Sequence, residues 1–278
     1  MGGMFARLLG GSGVNVTVAD TAGGDVEGDV TAPDAALVAE IGRADLVLLA
    51  VPEQAALAGI PLIAPHLRRG ALLVDTMSVK RPVVAVLENI AGIEAVSLNP
   101  MFAPALGMPG RPVATVVVHD GPAAAELLRL LGEWDGRKVL LDAEAHDRLT
   151  AAAQVLTHAS VLGFGLGLVG LGVDAQELTA IAPPPHTTLL ALLARIASGS
   201  PEVYWDIQAA NPDATAAREA LAAGIRRVAD IVESGDEAGF TTVLGELRVF
   251  LGGERTRLSG TCAELFDGLS KSTRNEAT

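Results

Sequence analysis

The apolar residues of this chain follow two different periods. In the first half, short β-branched runs at residues 14–19, 45–51, 72–74, 93–97, 114–118 and 139–141 alternate with helical stretches such as 4–9. Within the runs apolarity is continuous rather than alternating, which marks strands covered on both faces. Such runs, joined by helices, predict a parallel, doubly wound sheet. Past Ala143 the pattern changes to long helical periods over 144–172, 187–197, 214–233 and 236–269, and a polar tail at 270–278 is expected to fray. The expected organisation is an α/β domain over residues 1–143 followed by an all-helical domain over 144–278.

Two polar side chains stand where such a sheet binds ligands. Ser78 follows the run Leu72-Leu73-Val74 and Asn99 follows the run 93–97, so each is expected just beyond the carboxyl end of a strand. The start of the chain reads as the later part of a Rossmann-type dinucleotide motif. Gly2 takes the place of the third glycine, a helix covers 4–9, Gly10-Gly11-Ser12-Gly13 turns, and a second strand ends in Asp20. The first strand and the first two glycines are absent, which points to a truncated start or a misassigned initiator methionine. Asp20 lies at about the separation expected of the carboxylate that binds the adenosine ribose hydroxyls, so NAD is expected over NADP, whose 2′-phosphate it would repel. A second pattern, Gly165-Leu166-Gly167-Leu168-Val169-Gly170, has the letters of the motif but lies in a helical run with no strand before it; close helix packing is its expected use.

Composition narrows the function. Of the 278 residues 50% are apolar and 19% charged, which suits one or two domains with a large core and argues against disorder. A formal charge of -13 and a pI near 4.8 oppose binding to nucleic acid. Cys262 is the only cysteine, so an internal disulfide and a CxxC metal or redox site are excluded, and a cytoplasmic home is expected. Residues 1–9 lack the basic-then-apolar order of a secretory signal. The apolar run 159–173 falls short of the roughly 20 residues that cross a bilayer. Bracketed by His158 and Asp174, it is expected to be buried in the core or at a subunit interface rather than in a membrane. No pair of histidines stands with a carboxylate at metal-ligand spacing, and no Gly-x-Ser-x-Gly elbow occurs, so neither a metal centre nor a nucleophilic serine is expected.

Several words of the sequence, in order, carry a family likeness. Asp75-Thr76-Met77-Ser78-Val79-Lys80, Asn99-Pro100-Met101-Phe102-Ala103-Pro104, His146-Asp147, Gln154-Val155-Leu156-Thr157-His158, and Arg195 ahead of Val203-Tyr204-Trp205-Asp206-Ile207 together resemble the prephenate dehydrogenase family over nearly the whole chain. The resemblance implies an NAD-binding domain, a helical domain that forms a homodimer, and a cleft between them that takes a small-molecule cyclohexadiene dicarboxylate. It implies oxidative decarboxylation: hydride leaves ring C4 for nicotinamide, the C1 carboxylate departs as carbon dioxide, and the ring becomes aromatic. Cofactor contacts are expected from Gly2, Asp20, Val51, Pro52, Ser78 and His146, catalytic roles from Ser78, Asn99 and His158, and substrate contacts from Arg195, Gln154 and Tyr204. A planar guanidinium suits a carboxylate, and Gln154 and His158, at i and i+4, share a helix face. The plain alternatives are a surface ion pair for Arg195, a satisfied core residue for His158 and a turn cap for His146.

Asn99 departs from the family pattern, in which a histidine normally stands at this place. A C4 hydroxyl is a poor hydride donor until its proton is partly removed, which is work for a histidine. Asparagine cannot take a proton. A C4 amino group needs no strong base, because its nitrogen lone pair pushes hydride out to give an iminium and decarboxylation then delivers a neutral aniline. The expected substrate is therefore 4-amino-4-deoxyprephenate, with an N–H accepted by Asn99 and orientation completed by Ser78, and the expected product is 4-aminophenylpyruvate, in a step resembling those of antibiotic pathways. Two other readings stay open: a prephenate or arogenate dehydrogenase with His158 or water as base, and a catalytically silent dimeric binding paralogue.

Overall fold

The computed structural model describes the backbone of residues 1–276 and the side chains of 1–269. It divides into one unit formed by Met1–Ala151 with Ala209–Pro212, and a second formed by Ala152–Gln208 with Asp213–Thr278.

The first unit opens with helix α1 (Gly2–Gly11), three short strands β1 (Ala19–Asp20), β2 (Gly23–Gly24) and β3 (Val26–Glu27), and helix α2 (Ala35–Arg43). Then follow β4 (Leu46–Leu49), α3 (Glu53–Ile63), β5 (Leu72–Asp75), α4 (Arg81–Leu87), β6 (Glu94–Pro100), β7 (Pro112–His119), α5 (Pro122–Glu133), β8 (Arg137–Leu140) and α6 (Ala143–Thr150). Strands β4 to β8 form one sheet in chain order. Successive side chains of a strand point to opposite faces. Thus Leu72 and Val74 of β5 join a core with Met4 and Phe5 of α1 and Leu127 and Leu131 of α5, while Leu73 joins a second core with Ile41, Ile60 and Val83 of α2, α3 and α4. The continuous apolarity of the strands follows from this double coverage.

Three local outcomes depart from the sequence expectation. The run 14–19 enters the main sheet nowhere. β4 is that sheet's edge, Val14, Val16 and Val18 are exposed, and only Ala19–Asp20 is strand, paired with β2 and β3. Val18 is held locally instead, its carbonyl accepting from the amides of Asp25 and Val26 and its amide donating to Oδ2 of Asp25. Secondly, the sheet is parallel except between β6 and β7, which run antiparallel. A parallel return needs a crossover of about a dozen residues, usually with a helix. The link from β6 to β7 holds only a single 3-10 turn, Pro104–Leu106, so the chain reverses directly. Thirdly, β6 runs on through Pro100, so Asn99 is not beyond the strand but its next-to-last residue, paired with Ala114 of β7.

The second unit is helical. A π-helical segment, Ala151–Val155, precedes α7 (Leu156–Leu171), and α8 (Ala175–Ile181), α9 (Pro184–Ala197), α10 (Pro201–Ala209), α11 (Ala214–Glu233), α12 (Glu237–Leu251) and α13 (Glu254–Glu276) follow. The single expected helix over 236–269 is two, because Gly252 adopts φ +50, which ends α12. The tail expected to fray continues α13 to Glu276, and residues 277–278 lie outside the described residues. A Cβ on Gly165 would sit 2.7 Å from Leu193 Cδ1, so this glycine lets α7 and α9 approach, as expected. Val161 of the same run is buried as well, but the later part of the run is not core: Leu166, Val169 and Leu171 are 72%, 77% and 75% exposed. Helices α6 and α7 with the segment between them make one helical stretch, Ala143–Leu171, long and apolar enough by length and composition to cross a membrane.

Candidate functional site

In the first unit the site is built on the turn between β5 and α4. Asp75 closes β5, and its Oδ1 accepts from the amide of Met77 and from Nζ of Lys80, at 3.0 Å each. Lys80 is fully buried and gives a second hydrogen bond, 2.8 Å, to the carbonyl of Leu98 on β6. Burial pushes the Lys80 ammonium below its usual range, against the pull of Asp75. This pair ties the turn to β6 next to Asn99 and leaves Ser78 half-buried between them in sequence.

Asp147 fixes the other end of the turn. Its Oδ1 accepts from the amide of Lys80 (2.8 Å) and lies 2.8 Å from Nδ1 of His146; its Oδ2 accepts from the amide and Nε of Arg81, at 2.9 and 3.2 Å. Burial alone would raise this carboxyl, but the hydrogen bonds from His146, Arg81 and Lys80 outweigh it and hold Asp147 below its usual range. Thr150 and Asn211 brace the same turn of helix, with Asn211 Nδ2 donating to the carbonyl of Asp147 at 2.9 Å. Asn99, 4% exposed, turns its Nδ2 to within 3.0 Å of His146 Nε2 and 3.4 Å of the Ser78 carbonyl. Ser78, Asn99 and His146 are thus gathered in one place. Both ring nitrogens of the fully buried His146 are occupied inside the protein, so the expected cofactor contact has no ring nitrogen to make it.

The remaining expected cofactor residues suit a dinucleotide. A Cβ on Gly2, the first residue of α1, would lie 3.3 Å from Cβ of Ala50, the close helix-to-strand approach that the third motif glycine provides. Asp20 is exposed at the end of β1 and is held by the amide of Ala22 at 3.0 Å, with a carboxylate oxygen available to ribose hydroxyls. Val51 and Pro52 lead from β4 into α3, Pro52 as its N-cap.

The second unit holds the other expected residues. His158 on α7 meets the ring of Tyr204 on α10 edge-on, centroids 5.1 Å apart, and among the described residues its buried Nδ1 has no hydrogen-bond partner. Burial, and then the charge of Arg195, pushes the His158 imidazole below its ordinary value. Arg195 is exposed in the last turn of α9, and Gly199 lets Tyr204 pack against the backbone that follows, since a Cβ there would lie 2.6 Å from the ring. Gln154 is half-buried within the π-helical segment. Sequence reasoning gave no role to Asp75, Lys80, Asp147 or Asn211. Lys80 and Asp147 stand inside motif words, which is the signal that could have found them; Asn211 offers none, because its partners are distant in sequence.

Comparison with known proteins adds the following. Residues 9–111 match the family model of the prephenate dehydrogenase nucleotide-binding domain, and residues 142–246 that of the prephenate dehydrogenase dimerization domain. The chain is 50% identical over 277 residues to 4-amino-4-deoxyprephenate dehydrogenase of Streptomyces pristinaespiralis, covering 97% of this chain and 94% of that protein. It is 28% identical to a probable arogenate/prephenate dehydrogenase of Methanocaldococcus jannaschii over 92% of this chain, spanning 60% of that relative. Among solved structures, prephenate dehydrogenase from A. aeolicus in complex with hydroxyphenyl propionate and NAD+ matches with a TM-score of 0.71 at 20% identity, over 93% of this chain and 94% of that one, a likeness of fold.

Two measurements check this geometry. Lys80→Ala strands Asp75 without its buried partner and should lower the unfolding free energy in urea by about 3–5 kcal/mol; a loss under about 1 kcal/mol would mean the pair does not hold the turn. Followed by NMR, the His158 ring should titrate below an ordinary histidine, and Arg195→Ala should raise its midpoint. The sign is fixed by linkage: the unfolded chain binds this proton more readily, so the contribution of His158 to stability is lost as pH falls below the ordinary histidine value. A midpoint unmoved by Arg195→Ala would place the guanidinium away from the ring.

Proposed function

Because the chain belongs to the prephenate dehydrogenase family, we propose that it is the NAD-dependent enzyme that converts 4-amino-4-deoxyprephenate to 4-aminophenylpyruvate and carbon dioxide. The observation that carries this reading is the chemistry at residue 99. An amide stands there, its Nδ2 spent on the protein, while among the described residues Oδ1 accepts no hydrogen bond. That oxygen can accept an N–H of the C4 amine and cannot take a proton from a C4 hydroxyl. The imidazole beside it does not substitute as base, because His146 is completely buried. The 50% identity to a dehydrogenase named for the amino substrate supports the same choice.

Bound NAD supplies the acceptor for the C4 hydride. The chain's own groups do the rest: Asp20 receives the ribose hydroxyls, Asn99 and Ser78 orient the C4 nitrogen, and Arg195 with Gln154 and Tyr204 holds the substrate's carboxylates and side chain. His158, whose imidazole burial and the charge of Arg195 push below its ordinary value, lines the substrate side and is disfavoured from adding a second positive charge. The C4–H electron pair leaves as hydride, the nitrogen lone pair compensates it, and the bond to the departing carboxylate returns a pair to the ring, which becomes aromatic. Binding energy is used for alignment, since aromatisation drives the chemistry. The exposed apolar side chains of α7, together with Val249 and Phe250 of α12, 82% and 84% exposed, suit a second copy of the chain as the covering surface, so the active form is a homodimer. A cytoplasmic location belongs to the same reading.

The test offers the purified protein NAD with either 4-amino-4-deoxyprephenate or prephenate. The kcat/KM should favour the amine, and Asn99→His should shift the ratio toward prephenate by roughly tenfold or more, as general-base assistance of a hydroxyl allows. A wild type that prefers prephenate would overturn the assignment.

A further inference from the structure

We propose that His146 is a positioning residue that fixes which end of the Asn99 amide faces the substrate, and so sets the enzyme's preference for an N–H donor over a hydroxyl; this rests on the amino-substrate reading above. An asparagine amide is nearly symmetric in shape but opposite in hydrogen-bond sense at its two ends. Left to itself it could present either Oδ1 or Nδ2. Presented as Nδ2, it would donate to the C4 nitrogen and tie up the lone pair that expels hydride. Presented as Oδ1, it accepts from the amine and leaves that lone pair to act. A site that discriminates by this amide therefore needs something to hold its orientation.

The buried network supplies it. The Asp147 carboxylate receives hydrogen bonds from the amides of Lys80 and Arg81 and from Nε of Arg81, so it is an acceptor, and the proton of the 2.8 Å contact to His146 sits on Nδ1. A neutral imidazole protonated at Nδ1 carries only a lone pair at Nε2. With no second proton on the ring, the amide end 3.0 Å away is Nδ2. The Ser78 carbonyl, 3.4 Å from the same atom, is a second acceptor with the same demand. An amide turned the other way would set Oδ1 against two acceptors. His146 thus passes the polarity of Asp147 to Asn99 without touching substrate, being fully buried.

The tautomer is measured first, on the wild-type chain, by long-range proton–nitrogen NMR of the histidine rings, with the His146 signals assigned by their loss in His146→Gln. Nε2 of His146 should show the shift of an unprotonated nitrogen; a proton on Nε2 overturns the proposal, and the tautomer itself is read on the wild-type chain. In steady-state assays, His146→Leu, which removes the acceptor, should cut the amine-to-hydroxyl ratio of kcat/KM at least about tenfold, through kcat more than KM. His146→Gln, whose Oε1 can accept from Asn99, should keep the ratio within roughly threefold of wild type. A purely structural role would lower both substrates together and leave the ratio alone, and that result overturns the proposal while the wild-type preference for the amine still stands. Loss of the amine preference in the wild type itself would instead count against the substrate reading.

Discussion

The first unit depends on one buried carboxylate. Asp147 accepts from three donors on Lys80 and Arg81 and from the His146 ring, so a single side chain on α6 registers the turn after β5 against the helix that closes the unit. A buried charge is tolerated only when fully hydrogen-bonded, and a network that is fully satisfied has few other arrangements. Ser78 lies inside the segment so fixed, and Asn99 lies against its carbonyl. The Lys80–Asp75 pair adds a second tie, a buried ammonium that joins the end of β5 to the backbone of β6, although among the described residues Oδ2 of Asp75 has no hydrogen-bond partner.

These polar groups lie at the ends of strands whose centres are wholly apolar. Leu72, Leu73 and Val74 are covered on both faces, and the sheet changes from hydrocarbon to charge within Asp75. The consequence is mechanical as well as chemical. Packed strands give fixed points, and the amide of Asn99 is carried on one of them rather than on a loop, which holds it in one position. The reversal at β6 and β7 contributes to this, because pairing to Ala114 holds Asn99 from the strand's other edge.

The second unit follows a different economy. Its helices keep large apolar surfaces uncovered in the single chain, among them Leu166, Val169, Trp205 and Phe250. Glycine is used there for approach, as at Gly165 against Leu193 and Gly199 against Tyr204, where side chains would collide. His158, Tyr204 and Arg195 are gathered by three separate helices, and among the described residues the buried Nδ1 of the histidine has no partner.

Much of this was legible in the sequence. Strands buried on both faces must be apolar throughout, and helices must repeat near 3.6 residues, so the two periods divided sheet from helices and found the cores; α11 spans the very residues its period marked. The family words likewise singled out Ser78, Asn99 and His146, which the structure gathers in one place. What the sequence could not determine depends on partners distant along the chain. The valines of 14–18 have a strand's composition, yet a strand exists only when another pairs with it, and β4 does not. The direction of β7 followed from a link that holds no crossover helix, and the orientation of the Asn99 amide from acceptors on residues 78 and 146. Composition encodes which surfaces avoid water; hydrogen bonding is directional and needs both atoms in place, so only the tertiary structure could decide it.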